Sequence, residues 1–154
     1  LMNYEKDKLS LIEDVKKGLY NFVIISRSIM NEINYEEKLT ISQLLLLYLL
    51  EDGKSYKVSE LAEKLGITPS AVTNLSNKLV ENQFINRFRP EDNRRVVMLF
   101  LTDKGKQFLK EISEVKSRLL GEALSELNDD DLKNINLSFL KLTYALEKYK
   151  NRKK

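Results

Sequence analysis

The chain is 154 residues long, 42% hydrophobic and 32% charged, the make-up of one compact globular domain. It contains no cysteine and no histidine, which excludes disulfides, thiolate metal sites, cysteine redox sensing and most hydrolase triads, and leaves no metal or cofactor to be expected. Net charge is only +3, but it is uneven: residues 1–52 carry −3, residues 53–105 carry +3 and residues 106–154 carry +3, so the middle of the chain is basic and its first third acidic.

With five glycines and two prolines as punctuation, long helices are expected. Met2 reads as the natural start. Residues 5–33 place Leu9, Ile12, Val15, Leu19, Phe22, Val23, Ile29 and Ile33 close to helical spacing. Thr40-Ile41-Ser42-Gln43 fits a capping box that opens a second helix running to Leu50, and Asp52-Gly53 breaks it. The run Leu44 to Leu50 is the longest approach to a membrane span, far below the roughly 18 to 20 residues one needs. No signal peptide opens the chain, so a cytoplasmic location without a membrane partner is expected. Val58 to Leu65 reads as a short helix with Leu61, Ala62 and Leu65 inward, and Leu65-Gly66-Ile67 as a turn. Thr68 then caps a helix whose first position is Pro69, with Val72, Leu75 and Leu79 as its apolar stripe. After Asn82 the period changes: Ile85 to Arg89 and Val96 to Leu101 read as two strands joined by the turn cluster Pro90-Glu91-Asp92-Asn93. Thr102-Asp103-Lys104-Gly105 leads into a helix with Phe108, Ile112, Val115 and Leu119 on one face. Asn128 caps a last helix, in which Leu132, Ile135, Phe139, Leu142, Leu146 and Tyr149 alternate steps of three and four, a heptad seam. The order is α-α-α-α-β-β-α-α, mainly α with a small β-hairpin and no internal repeat.

Two neighbouring features carry the function. The first is helix, tight turn and helix from Val58 to Asn82. A major groove admits one α-helix, and a second helix packed across it fixes the angle of entry. Ala62 is the small residue such a crossing needs, and Gly66 the turn residue that tolerates positive φ. The side chains left outside on the second helix are Ser70, Thr73, Asn74, Asn77 and Lys78, whose amides, hydroxyls and ammonium suit base edges and phosphate. An ordinary helical hairpin with a solvated polar face fits the same pattern. The second feature is the hairpin, with Arg87, Arg89, Arg94 and Arg95 inside nine residues. Four guanidinium groups there suit a phosphate backbone or a narrow minor groove. An arginine-decorated edge hairpin, or Asp92 paired locally with an arginine, is the alternative. Directly after a helix-turn-helix, a basic hairpin favours a wing.

The segment Val58-Ser59-Glu60-Leu61-Ala62-Glu63-Lys64-Leu65-Gly66-Ile67-Thr68-Pro69-Ser70-Ala71-Val72-Thr73 resembles the core of the MarR (multiple antibiotic resistance regulator) family. So do Asp92-Asn93-Arg94-Arg95 and Leu101-Thr102-Asp103-Lys104-Gly105. The resemblance covers the whole chain, with helices before and after the winged helix in the expected order. It implies a winged helix-turn-helix over residues 36–104, and a homodimer joined through a helical region of residues 1–35 and 105–154. It also implies double-stranded DNA as partner, the helix of Pro69 to Asn82 in the major groove and the Arg94–Arg95 wing in the minor groove. Two positions depart from the family pattern. Gln83 stands where a glycine is usual, and Asn93 where the wing's aspartate is usual, with Asp92 one place early.

The terminal seam, with Leu132, Ile135, Phe139, Leu142 and Leu146, and Leu9 and Ile12 on the first helix, is expected to form the dimer contact. Packing of one helix on its own core is the other reading of that seam. A dimer fits a palindromic operator with half-sites about one helical turn apart. Resemblance further implies control by a small aromatic or amphipathic ligand, although spacing assigns none of the tyrosines and phenylalanines to an effector pocket. Asp129-Asp130-Asp131 is read as favourable charge at a helix start, ahead of a metal site, and the basic run Lys148 to Lys154 as a solvated tail. The expected function is that of a DNA-binding transcription repressor released by a ligand. A helical dimer whose winged helix holds another protein is the runner-up. An enzyme ranks third, because no phosphate loop or paired acidic motif is present.

Overall fold

The computed structural model describes residues 2–32 and 39–152, with side chains described from residue 7 to 29 and from 39 onward. Ile33, the 35/36 division and the end of the basic tail lie outside the described residues. The elements are α1 (Met2–Glu32), α2 (Ile41–Leu49), β1 (Tyr56–Lys57), α3 (Val58–Leu65), α4 (Pro69–Glu81), β2 (Ile85–Phe88), β3 (Met98–Leu101), α5 (Asp103–Ala123) and α6 (Asp129–Arg152). They fall into two compact units, Leu1–Gln107 and Phe108–Lys154, divided inside α5.

Local chemistry sets most of the boundaries in the first unit. Thr40 and Gln43 form the expected capping box, the Thr40 N–H donating to Gln43 Oε1 at 2.9 Å and the Gln43 N–H to Thr40 Oγ1 at 3.3 Å. The Glu60 carboxylate reaches back to accept the Lys57 N–H at 2.9 Å and closes the first turn of α3. Gly66 ends α3 at φ +68°, and the Ile67 N–H returns to the Ala62 carbonyl at 3.0 Å, so the turn residue sits in the left-handed conformation that glycine adopts without penalty. Thr68 caps α4 by accepting the Ala71 N–H, with Pro69 at the first helical position.

The expected hairpin is present but belongs to a three-stranded antiparallel sheet in the order β1-β3-β2. The strands are shorter than the sequence suggests. Arg89 falls outside β2 because the following proline lacks the N–H a ladder needs, and Val96 and Val97 precede β3. Tyr56 and Lys57, which carry no strand signal of their own, pair with Leu99 and Met98. Under this sheet α2, α3 and α4 enclose a core that includes Leu46, Leu47, Leu61, Val72, Leu79 and Phe84, all essentially without exposure.

One junction explains the Thr102-Asp103-Lys104-Gly105 run. The Thr102 hydroxyl donates to the Gln83 carbonyl at 2.7 Å, and its oxygen accepts the Gly105 N–H at 3.0 Å, so one side chain ties the turn after α4 to the start of α5. Gly105 lies so close to Phe84 that a Cβ there would stand 2.1 Å from the Phe84 carbonyl oxygen. Gln83 adopts φ +62°, the conformation for which a glycine is the usual occupant. Beyond α2, the Tyr56 hydroxyl donates to Asp52 at 2.6 Å. That bond, helped by the Lys54 N–H, holds the Asp52 carboxyl below its ordinary range and raises the Tyr56 phenol.

In the second unit, Asn128 Oδ1 accepts the N–H groups of Asp130 and Asp131, each at 2.9 Å. The three aspartates occupy the first turn of α6, where the free N–H groups and helix dipole favour negative charge. Along α5, Phe108 and Ile112 are buried while Val115 and Leu119 are half-buried.

Candidate nucleic-acid interface

The outer face of α4 is the one the sequence points to. Ser70, Thr73, Asn74, Asn77 and Lys78 are all exposed, while Val72, Ser76 and Leu79 face inward. Two of the outward groups are already oriented. The Thr73 hydroxyl donates to the Pro69 carbonyl at 3.0 Å. The Ser70 hydroxyl shares a 2.9 Å bond with the Thr68 cap.

The four arginines take different places. Arg94 and Arg95 sit exposed in the turn between β2 and β3. Their loop is braced from within: Asn93 Oδ1 accepts the Arg95 N–H at 3.3 Å, and Arg89 Nη1 donates to the Arg94 carbonyl at 3.2 Å. The asparagine at the departing position thus braces the loop through the Arg95 backbone and leaves the Arg95 side chain uncommitted to that bond. Arg87 is placed differently. It lies inside β2 rather than at the tip, and its Nη2 donates to Asn77 Oδ1 at 2.6 Å and Ser76 Oγ at 2.7 Å, with a longer 3.2 Å contact to the Thr73 carbonyl. Ser76, 1% exposed, is fully satisfied, because its hydroxyl donates to Thr73 at 2.8 Å and accepts from Arg87. Neither Ser76 nor this use of Arg87 was expected. The signal is present in the strand period: Ile85 is buried against α4, so the residue two places on, Arg87, shares its face.

Between α4, the start of α3 and the wing runs a cleft in two lobes. One, of about 340 Å³, is lined by Ser76, Arg87, Phe88 and Arg89, and the other, of about 270 Å³, by Lys57, Ser59, Pro69 and Arg95. Val58, Thr73 and Val97 are common to both. Four cations therefore line one concave surface beside the exposed face of α4. Among the described residues no cluster of acidic side chains is arranged to hold a metal ion.

A helix-turn-helix, a three-stranded sheet and an arginine-bearing wing together define a winged helix. The family model "MarR family" matches residues 39–97, the segment from α2 to the end of the wing loop. The HTH-type transcriptional repressor MdtR of Bacillus subtilis (strain 168) is 30% identical over 137 residues, covering 89% of this chain and 88% of that protein. The chain belongs to the MarR family. Its relatives in that family are named as transcriptional regulators, not enzymes, and the chain is a DNA-binding transcription regulator of the same kind. Two solved structures match the fold of this chain at a TM-score of 0.70. Streptococcus pneumoniae FabT in complex with DNA is 20% identical, covering 90% of this chain and 96% of that one. Bordetella bronchiseptica BpsR, solved for the regulation of its DNA binding by 6-hydroxynicotinic acid, is 18% identical, covering 84% and 98%. No described helix is long and apolar enough to cross a membrane.

Proposed function

We propose that this MarR-family chain is a homodimeric, sequence-specific repressor of the cytoplasm that binds a palindromic operator in double-stranded DNA. In this reading α4 enters the major groove, where Ser70, Thr73, Asn74, Asn77 and Lys78 meet base edges and phosphate. Arg94 and Arg95 reach the adjacent minor groove. The observation that carries the reading is the continuity of one surface: an exposed polar helix face, neutral at Ser70, Thr73, Asn74 and Asn77, bordered by a cleft lined with Lys57, Arg87, Arg89 and Arg95. Neutral side chains suit base readout, and the surrounding cations suit the salt-dependent attraction that supplies most of the affinity.

Dimerisation is assigned to the helical region of residues 1–35 and 105–154. Leu9, Ile12, Leu132, Ile135, Phe139 and Leu146 are exposed in the single chain and Leu142 is half-buried, which is the burden of apolar surface a second copy would cover. The name of MdtR supports repression, and the subject of the BpsR structure supports release by a small aromatic or amphipathic ligand.

The test is retention of genomic DNA fragments by the purified protein at two salt concentrations, followed by sequencing. Recovery of a palindromic motif with weaker retention at high salt is expected, and absence of retention at low salt would contradict the proposal. Arg95→Ala should weaken operator binding by about ten-fold with an unchanged melting temperature. Equal affinity in that variant would remove Arg95 from the interface.

A further inference from the structure

The Arg87–Asn77 contact fixes which half of an amide is offered to a ligand. Asn77 lies one turn after Thr73 on the exposed face of α4 and carries both an acceptor, Oδ1, and a two-hydrogen donor, Nδ2. An asparagine recognises adenine by turning both ends to the base edge, Oδ1 accepting from N6 while Nδ2 donates to N7. Here the Oδ1 end is occupied from the protein side. Arg87 Nη2 stands 2.6 Å from it, a charge-assisted bond of the strong kind.

The same nitrogen also donates to the buried Ser76 hydroxyl at 2.7 Å and makes the longer 3.2 Å contact to the Thr73 carbonyl, so swinging the guanidinium away gives up three contacts at once. Because arginine is only a donor, the end of Asn77 facing it must be the oxygen, and the amide orientation follows from chemistry alone. With Oδ1 turned to Arg87 and one of its two lone pairs taken, the Nδ2 end of the amide is the one turned away from Arg87.

We infer that Asn77 reads guanine, and that Arg87 is the positioning residue that sets this choice. Guanine alone presents two adjacent acceptors, N7 and O6, on its major-groove edge, whereas adenine places a donor beside its N7. An amide that leads with Nδ2, its oxygen already engaged by Arg87, matches the first pattern at both acceptors and meets the second with a donor set against N6. Arg87 thus acts on specificity from β2 without touching a base. The inference rests on the proposed placement of α4 in the major groove.

The experiment is selection from a randomised duplex pool with the full-length protein and with N77A, R87M and R87K, with thermal melting of each as a control for folding. Arg87 is exposed, and Ser76 keeps its own bond to the Thr73 carbonyl when Arg87 is replaced. The wild type should recover a motif containing a position where guanine is preferred over adenine by about ten-fold, and that preference should vanish in N77A. In R87M the freed oxygen can turn outward, so preference at that one position should shift toward adenine while the rest of the motif stays. In R87K, whose ammonium can still hold Oδ1, guanine should remain preferred. Adenine at the Asn77-dependent position of the wild type, or no base preference dependent on Asn77, would overturn the inference. So would an R87M protein that binds every site equally more weakly with its base preference unchanged, the mark of a purely structural arginine. Failure of the wild type to recover any motif would instead overturn the proposed recognition of an operator through α4.

Discussion

The segment from α2 to β3 and the terminal helices α1 and α6 are built from similar shares of leucine, isoleucine and phenylalanine, yet they end in opposite states. In the first, Leu46, Leu47, Leu61, Val72 and Phe84 lie within a closed core. In the second, Leu9 is 63% exposed, Leu146 is 58% exposed, and no described residue of α6 is buried. A short amphipathic helix in the winged helix has two neighbours and a sheet to cover its apolar stripe. A helix of 31 residues such as α1 carries more apolar surface than one chain covers here. The winged helix is therefore a finished structure, whereas α1 and α6 leave apolar faces uncovered in the single chain.

The largest effect should come from breaking the finished region at its tightest point. Gly105→Ala would place a methyl 2.1 Å from the Phe84 carbonyl oxygen, a clash with backbone that only movement of β2 or α5 relieves. We expect a loss of about 3 kcal/mol in unfolding free energy, read from denaturant melts. A change under 0.5 kcal/mol would show that the α5 junction is looser than the geometry states.

The unfinished region should respond in association and not in folding. Ile135→Glu puts a charge on the exposed seam of α6. It should weaken dimerisation by at least about ten-fold in sedimentation experiments, with the melting of the winged helix unchanged. Undiminished association would take the seam out of the dimer contact.

These two regions were also unequally legible in the sequence. The α3–turn–α4 pair could be read because its punctuation is local: Gly66, Thr68 and Pro69 act within four residues of themselves. Strand β1 could not, since Tyr56 and Lys57 become a strand only through Leu99 and Met98, some forty positions away. The density of arginine in the wing was visible, but its division of labour was not. Arg87 turns to α4 through contacts 10 to 14 residues back along the chain, and only the face-sharing of Ile85 and Arg87 hints at it. In α1 and α6 the helical period was plain, but a period says that a face is apolar and not what covers it.

Two smaller effects sharpen the picture of the finished region. Gln83→Gly should stabilise it by about 0.5 to 1 kcal/mol, because a side chain at φ +62° carries strain that glycine lacks, offset in part by the freer unfolded chain. A destabilised variant would mean that the Gln83 side chain contributes more than its backbone costs.

The smallest effect is at Asp52. Its carboxyl is held low first by the Tyr56 hydroxyl, so the stability it lends is present above the ordinary carboxylate range and is lost as pH falls through the lowered value. Tyr56→Phe should move the Asp52 titration upward toward the ordinary range, as followed by NMR, and make the acid limb of the stability profile slightly shallower. No movement would place the cause of the depression elsewhere.

The comparison itself is tested most directly by the mass of the protein in dilute solution, measured by sedimentation equilibrium from nanomolar to micromolar concentration. A terminal seam that joins two copies predicts one species at twice the 18.0 kDa chain mass over the micromolar range. A particle of 18.0 kDa at micromolar concentration, with the helical content of α1 and α6 intact, would contradict it.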